Sequence, residues 1–480
     1  MLRYFSKFIN IYTVLFLIYL MLNSILPFVM YVPSILKSIL SVGFMVLGLV
    51  FIFYKLIKNK ESMFTIDSIF LYCYIIAIAI SSLTMLKYGY VDNFKTIIWS
   101  MISLILLYHM FDLVEKSRIE NNVQKAIFVL NIIWNCAILV SLYQFVFQIS
   151  YQVKLTSGAI AKAQGFYYNR LFGIFIDPNY AAVTSVVMFY LTIYLLKNTN
   201  KKIFRIIEIL FLILEFLYVV LSASRTGLLV MLVGAFVYSF FRFRQNLINN
   251  SKKYVIIKSV IGGILVVLAV YFGVQITKKA TVYIFNENKK VVEDNIEKEK
   301  LTNAEKISEQ QNIENTNKDK VQNESKNNKL TLERTDLEGK EDKTNLRVQL
   351  WGDCIKIFKS KMLFGTSPRN FVAYAKENYK GTYPAKGYDC GNGYLAVLVY
   401  TGIFGSVCIV AFMICYFKKL LKVLISKKNL ELIDIVALSI TAIIGVAAAI
   451  NQEIFLINSF NTAVFWILLG FMIRKMNKNE

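Results

Sequence analysis

Residues 204–241 read FRIIEILFLILEFLYVVLSASRTGLLVMLVGAFVYSFF. Two apolar runs, 204–221 and 226–241, are separated only by a short turn that carries Ser222, Ser224, Arg225 and Gly227. Each run approaches the roughly 17–25 residues a helix needs to cross a hydrocarbon core, so the stretch reads as two spans joined tightly. Similar runs recur upstream at 9–30, 35–57, 64–86, 94–111, 124–149 and 177–196. Downstream they recur at 254–276, 394–417, 432–450 and 454–473. The expected fold class is an all-α polytopic membrane protein with about twelve transmembrane helices and one large extracytoplasmic loop. The first run begins a series and lacks a small-residue cleavage site, so it reads as a span and not as a removed signal.

Composition agrees. Of 480 residues, 56% are hydrophobic and only 18% charged, and the mean hydropathy is +0.52. A soluble domain needs a polar skin that such a chain cannot supply. Lys and Arg number 54 against 31 Asp and Glu, a net charge of +23. That excess sorts into alternate short loops, around Lys55, Lys116, Lys197, Arg242, Lys418 and Arg474. It therefore expresses the positive-inside bias and places both termini in the cytoplasm, with membrane lipids and not nucleic acid as the surroundings. One histidine, His109, and six cysteines without C-x-x-C spacing give no basis for a metal site.

One loop differs from the rest. Residues 277–389 separate the ninth and tenth spans and fall on the outer side, so the chain divides into 1–276, 277–389 and 390–480. The part 286–345 is dense in Asn, Lys and Glu and reads as disordered or loosely helical, because it has too little apolar surface to offset chain entropy. In 346–363, Leu350, Trp351, Cys354, Phe358 and Met362 recur at helical spacing, which reads as an amphipathic helix on the outer membrane surface. Cys354 and Cys390 both fall outside, where a disulfide is open to them.

The polar residues expected on the outer face form three segments. The first runs from Gly165 through Arg170 and Gly173 to Asp177, Pro178 and Asn179. Asp before Pro is a helix-start signal, so capping alone accounts for Asp177. The second is the turn at Ser222, Ser224, Arg225 and Gly227. The third joins Arg347-x-x-x-Trp351, then Phe364-Gly365 through Arg369 to Asn370-Phe371, then Asp389, Asn392 and Tyr394 at the tenth span.

In this order, S-x-S-R-T-G at a span junction, an upstream R-x-x-G…P-N, R-x-x-x-W, F-G-x-x-x-x-N-F and N-x-Y-L…G-I-F-G resemble the O-antigen ligase and polymerase family. Its Wzy-type members join lipid-linked sugar repeat units outside the cytoplasmic membrane. The resemblance covers about residues 165–417, and the first five spans carry nothing diagnostic. It implies a bacterial plasma-membrane glycosyltransferase that uses an undecaprenyl-diphosphate-linked oligosaccharide and no cofactor. A chain-length regulator and a flippase of the same pathway are candidate partners.

The residue types suit that chemistry. A sugar on a lipid diphosphate leaves with its diphosphate, and arginine binds phosphate oxygens bidentately without losing its charge. Arg225 and Arg347 are the candidate catalytic cations, and Arg170, Ser224, Arg369, Asn392 and Tyr394 the candidate diphosphate and sugar contacts. Snorkelling to lipid headgroups is the simpler account of any one arginine. In the ligase branch of the family a His precedes the Asn of the H-N-x-Y-L segment; here that position is Gly391. Asp389 and Glu453 remain as acids on the correct side, each either a general base or a structural partner of an arginine.

Three functions compete. The favoured one is a polymerase of a cell-surface, capsule-like polysaccharide. A ligase that moves a finished glycan to another acceptor is the second, and a lipid-linked oligosaccharide flippase the third. A transporter should show matched helix breaks in two halves, whereas here the polar residues cluster on one face.

Overall fold

The computed structural model describes residues 2–58, 60–113, 116–153, 162–249, 254–307, 330–333, 346–425 and 430–477. The chain opens with α1 (Leu2–Leu22), α2 (Leu26–Tyr31), α3 (Ser34–Lys58), the short α4 (Lys60–Met63) and α5 (Ile66–Thr84). Then α6 (Val91–Met101) continues directly into a π-helical stretch, Ile102–Leu107, and α7 (Lys116–Val146) follows. After a small sheet come α8 (Pro178–Asn198), α9 (Lys202–Leu221), α10 (Arg225–Asn249) and α11 (Val255–Ile307). The remainder comprises α12 (Arg347–Phe358), α13 (Phe371–Asn378), α14 (Gly393–Ile425), α15 (Leu432–Ala448) and α16 (Phe460–Asn477).

Seven of these helices are long and apolar enough to cross a membrane, and α15 and the Lys7–Leu22 part of α1 are shorter apolar helices. Their packing matches that surrounding. α3 and α11 carry rows of exposed Ile, Leu, Val and Phe, including Ile39, Phe53, Ile261 and Leu265. Water would penalise such rows, whereas hydrocarbon accepts them. The centre is instead closed by α8 and α15, most of whose side chains are buried. The intramembrane acid Glu215 is satisfied from within, accepting from Asn135 (3.0 Å) and Thr192 (3.3 Å).

Four expectations need correction. The fold is not all helix. Strands β1 (Ser150–Val153), β2 (Lys162–Tyr167) and β3 (Arg170–Gly173) form an antiparallel sheet in the order β1-β2-β3. The ninth run was expected to end at 276, but α11 continues to Ile307. The run 454–473 was expected to be one span, but α16 starts at Phe460, and 449–459 is a folded turn. The amphipathic helix ends at Phe358, and its buried face, Leu350, Cys354, Ile357 and Phe358, joins the protein core instead of a lipid surface.

The polar insert is tied down at its base. Asn286 on α11 holds Leu330 through two backbone bonds (Nδ2 to the carbonyl 3.1 Å; amide to Oδ1 2.7 Å), and Asn169 donates to Thr331 (2.8 Å). Leu330 and Leu332 are buried. These residues fall inside the stretch expected to be unstructured; 308–329 and 334–345 lie outside the described residues.

Charge divides the bundle into two ends. At one end Lys55 donates to the His109 carbonyl (2.6 Å), Arg474 to the same carbonyl (3.3 Å), and Lys475 to Asp434 (2.7 Å). Lys419 pairs with Asp67 there. The three motif segments lie at the opposite end.

Candidate functional site

The site is assembled around the turn 449–459 between α15 and α16. Two γ-type bonds fold it, Glu453 amide to Asn451 carbonyl (3.0 Å) and Phe455 amide to Glu453 carbonyl (2.8 Å). Ile454 and Leu456 take φ of 70° and 60°. A β-branched residue in that region costs about 1–3 kcal/mol, so the surroundings must enforce it. They do: Trp466 donates its indole N–H to the Ile454 carbonyl (3.0 Å), and the start of α14 packs against the turn.

That helix start explains the Asn392-Gly393-Tyr394-Leu395 motif. Asn392 caps α14 by accepting from the amides of Tyr394 and Leu395 (3.0 Å each), and its own amide donates to the Ala449 carbonyl (2.8 Å). A Cβ on Gly393 would lie 2.4 Å from the Glu453 carbonyl. The Tyr394 hydroxyl donates to the Gly445 carbonyl (2.9 Å). Asn392 and Tyr394, expected as sugar contacts, therefore hold α14 to α15 and the turn.

The S-x-S-R-T-G turn divides its labour in the same way. Ser224 caps α10, accepting from the Gly227 amide (3.0 Å) and donating to Asn179 Oδ1 (3.0 Å). Gly227 lets α8 approach, since a Cβ there would sit 2.7 Å from Ala182. Arg170, on β3, is buried; it donates to the Ser222 carbonyl (3.0 Å) and Asn179 Oδ1 (3.1 Å) and stacks over Phe172. Asp177 caps α8, accepting from Asn179 and Tyr180 amides (2.7 and 3.1 Å). Arg225, at the first position of α10, is exposed, as is Asp177.

Arg347 opens α12 and donates to Asn451 Oδ1 in the turn (3.3 Å). Glu453, two residues on, is 1% exposed, receives Asn461 Nδ2 at 3.4 Å, and leaves Oε2 without a hydrogen bond. Burial pushes its pKa up to about 8, opposed by the Asn461 bond and reinforced by the Asp177 charge. At pH 7 its carboxyl is mostly neutral, and a neutral acid is poorly suited to accept a proton.

Arg369 and Asp389 lie on the other flank. The segment 364–371 is stitched to the ends of α5 and α6. Ser367 donates to Asn93 Oδ1 (2.6 Å), Asn370 to the Met85 and Gly89 carbonyls (2.8 and 3.0 Å), and Ser81 Oγ accepts from the Ser367 amide (2.9 Å). Gly365 and Gly402 cross at van der Waals limits, both with φ near 70°. A Cβ on Gly402 would lie 2.3 Å from the Leu363 carbonyl, and one on Gly365 2.5 Å from Tyr400 backbone. This explains both motif glycines. Arg369 Nε then reaches Thr96 Oγ1 (3.0 Å). The surroundings of the Asp389 carboxylate desolvate it and raise its pKa, against the attraction of Arg369 and a hydrogen bond from Tyr400. Cys354 and Cys390 are buried side by side as free thiols.

With that geometry in view, comparison with known families is informative. Residues 209–410 match the family model described as O-antigen ligase. The matched segment, less than half of the chain, is similar to the O-antigen ligase family. The family covers both ligases and polymerases of glycan chains, and its members are glycosyltransferase-like membrane enzymes acting on lipid-linked oligosaccharides. No curated protein matches the chain. The matched segment contains Ser224, Arg225, Arg347, Arg369, Asp389, Asn392 and Tyr394, whereas Arg170 and Glu453 lie outside it and are joined to it by contacts. No group of three or more metal-ligating side chains occurs among the described residues.

Sequence reasoning named Asn179 only as part of the P-N motif, and it missed Asn451 and the Asn93–Thr96–Ser100–Ser103 row. The row has a legible signal, Asn93 followed at helical spacing by three hydroxyl residues inside the apolar run 94–111.

Proposed function

We propose that this protein polymerises lipid-diphosphate-linked oligosaccharide repeat units into a surface polysaccharide, on the outer face of a bacterial plasma membrane. The observation that carries the proposal is convergence on one turn. Arg347 bonds it, Arg369 lines its far side, and α8, whose Asn179 accepts from Arg170 and Ser224, reaches it through Thr184, Asn461 and Glu453. All of this lies at the end opposite the basic cluster of Lys55, Lys419, Arg474 and Lys475. With the basic end in the cytoplasm, the site faces outward and both termini inward.

In this reading the growing chain on undecaprenyl diphosphate is the donor. A hydroxyl of the incoming repeat attacks the anomeric carbon. The new glycosidic C–O bond forms as the C–O bond to the diphosphate breaks, and the electron pair leaves with the lipid diphosphate. Arg225 and Arg347 neutralise the charge that grows there. Asp389 takes the hydroxyl proton, its raised pKa placing it nearer neutrality than an ordinary aspartate. Gly391, where ligases of the family carry His, favours the polymerase over the ligase.

The test is the lipid-linked glycan pool of a deletion strain. Single repeat units are expected. Full-length chains that stay on the carrier would assign the ligase activity instead.

A further inference from the structure

The six cysteines divide by place. Cys73, Cys136, Cys408 and Cys415 sit in the apolar helices α5, α7 and α14, whereas Cys354 and Cys390 lie in the segment between α11 and α14. Those two meet. Both are fully buried, and their thiols are within hydrogen-bonding reach of each other. Leu350, one turn before Cys354 on the same face of α12, lies against the residue after Cys390, since a Cβ on Gly391 would stand 3.6 Å from Leu350 Cδ2. The backbone on both sides is anchored. Asp353 accepts from the Tyr383 amide (2.8 Å), and the Cys390 amide donates to the Tyr400 hydroxyl (3.4 Å).

A buried cysteine is by itself an ordinary small core residue. Compartment separates packing from bonding. Thiols in contact outside the cytoplasmic membrane meet disulfide oxidants, whereas the cytoplasm keeps them reduced. This pair stands beside Asp389, at the end of the bundle opposite the basic cluster. Burial pushes the Cys390 thiol well above its ordinary range, and the contact with Cys354 adds to this. A thiol so raised supplies little thiolate, so the docked pair exchanges slowly in either direction. The bond is therefore made as α12 docks, while the sulfurs still meet water, and it is sheltered from then on.

We propose that Cys354 and Cys390 close a structural disulfide outside the membrane, which latches α12 to the head of α14. The co-reactant is a protein or small-molecule disulfide. One cysteine thiolate attacks its sulfur and expels a thiolate; the second cysteine then attacks the mixed disulfide and expels the other. The two cysteines lose two protons and two electrons, the S–S bond forms, and the oxidant leaves as two thiols. The latch joins two pieces of the site. Arg347 opens α12 about two turns before Cys354, and Asn392 caps α14 just past Cys390. This rests on the outward orientation proposed above and is independent of which glycan the protein joins.

The test reads the redox state of the full chain in the host's own membranes. Cells are quenched in acid, and the denatured protein is alkylated with N-ethylmaleimide and digested for mass spectrometry without reductant. A linked Cys354–Cys390 peptide is expected in most of the protein, with Cys73, Cys136, Cys408 and Cys415 alkylated. Cys390→Ser supplies the control, since it should leave Cys354 free and alkylated. Reductant should lower the melting temperature of the wild type in detergent by several degrees and leave the Cys354→Ser/Cys390→Ser double variant unmoved. Alkylated Cys354 and Cys390 in the wild type overturn the proposal, and an equal response of the two proteins to reductant removes the latch. Lys380→Cys, at an exposed position of the same segment, reports the orientation. Its labelling by an impermeant maleimide in intact cells is expected. Labelling there with a reduced pair in the wild type sinks the disulfide alone, whereas no labelling sinks the orientation and the disulfide with it.

Discussion

Arg347 Nη2 lies 3.3 Å from Asn451 Oδ1, so the first residue of α12 is held against the turn that also carries Glu453. The bond gives a side chain from the outer segment a fixed place at the head of the bundle. Held there, Arg347 needs little reorganisation as charge develops on a leaving group.

Arg225→Ala and Arg347→Ala should each lower polymer synthesis by roughly 10²–10³, the usual cost of removing one electrostatic donor from the leaving group. Lysine at either position should restore only part, because it keeps the charge and loses the bidentate fork. The double variant should lose less than the two free energies added, since both arginines serve one diphosphate. Arg242→Ala serves as the control at the other end of α10. Chain-length profiles at matched protein level are the readout; a normal ladder from Arg225→Ala would return that residue to a topological role.

Glu453 and Asp389 should separate cleanly. Asp389→Asn should cost about 10²–10⁴ in turnover, the range for one general base, whereas Glu453→Gln keeps a neutral side chain of the same shape and most of the activity. Initial rates with purified membranes distinguish the two roles.

The same glutamate predicts a pH slope in stability. Its pKa rises from an ordinary 4.5 to about 8 on folding, so folding binds a proton between those values. Its contribution to stability is complete below 4.5 and is lost as pH rises through about 8. Melting temperatures in detergent from pH 5 to 9 should fall across that window in the wild type and fall less in Glu453→Gln. Parallel curves for the two proteins would refute the assignment.

Gly402→Ala should be severely destabilising, by about 3 kcal/mol or more, because it adds a steric clash to a backbone with φ of 68°. Gly43→Ala, where an added Cβ meets nothing, should change little. Thermal unfolding in detergent compares them.

Deleting 291–325 with a short linker should leave synthesis within about twofold, provided Asn286 and Leu330 stay, since their two hydrogen bonds already close the base of the insert. A loss as deep as that of Arg225→Ala, at equal expression, would give the insert a function of its own.

Much of this was legible in the residues. Apolar length marked the helices, Asp177-Pro178 announced the start of α8, and the order of Ser224, Arg225, Arg347 and Asn392 carried the family. What was hidden followed from tertiary contact. Ile454, Phe455 and Leu456 are apolar and read as the start of a span, yet Trp466 and Gly393 hold them in a γ-folded turn. The sheet at 150–173 was concealed because β2, Lys162–Tyr167, is short and its alternation is broken by a bulge at Gly165/Phe166. The partner of Arg369 was hidden as well, because only folding brings Thr96, 273 residues away in sequence, to its Nε.

The π-helical stretch Ile102–Leu107 works like a step in a screw. One extra residue per turn advances everything beyond it by about 100° relative to a regular α-helix. Above the step, Thr96 and Ser100 line a small cleft together with Arg369 and residues 454–458 of the turn. Below it, the His109 ring meets Ser68 (3.0 Å) while its carbonyl receives Lys55 and Arg474. A regular helix cannot hold both phases at once. Removing a single residue from this stretch would therefore set the two ends against each other: with the hydroxyls kept in the cleft, His109 swings out of the basic cluster, and with His109 kept, the hydroxyls rotate into the wall.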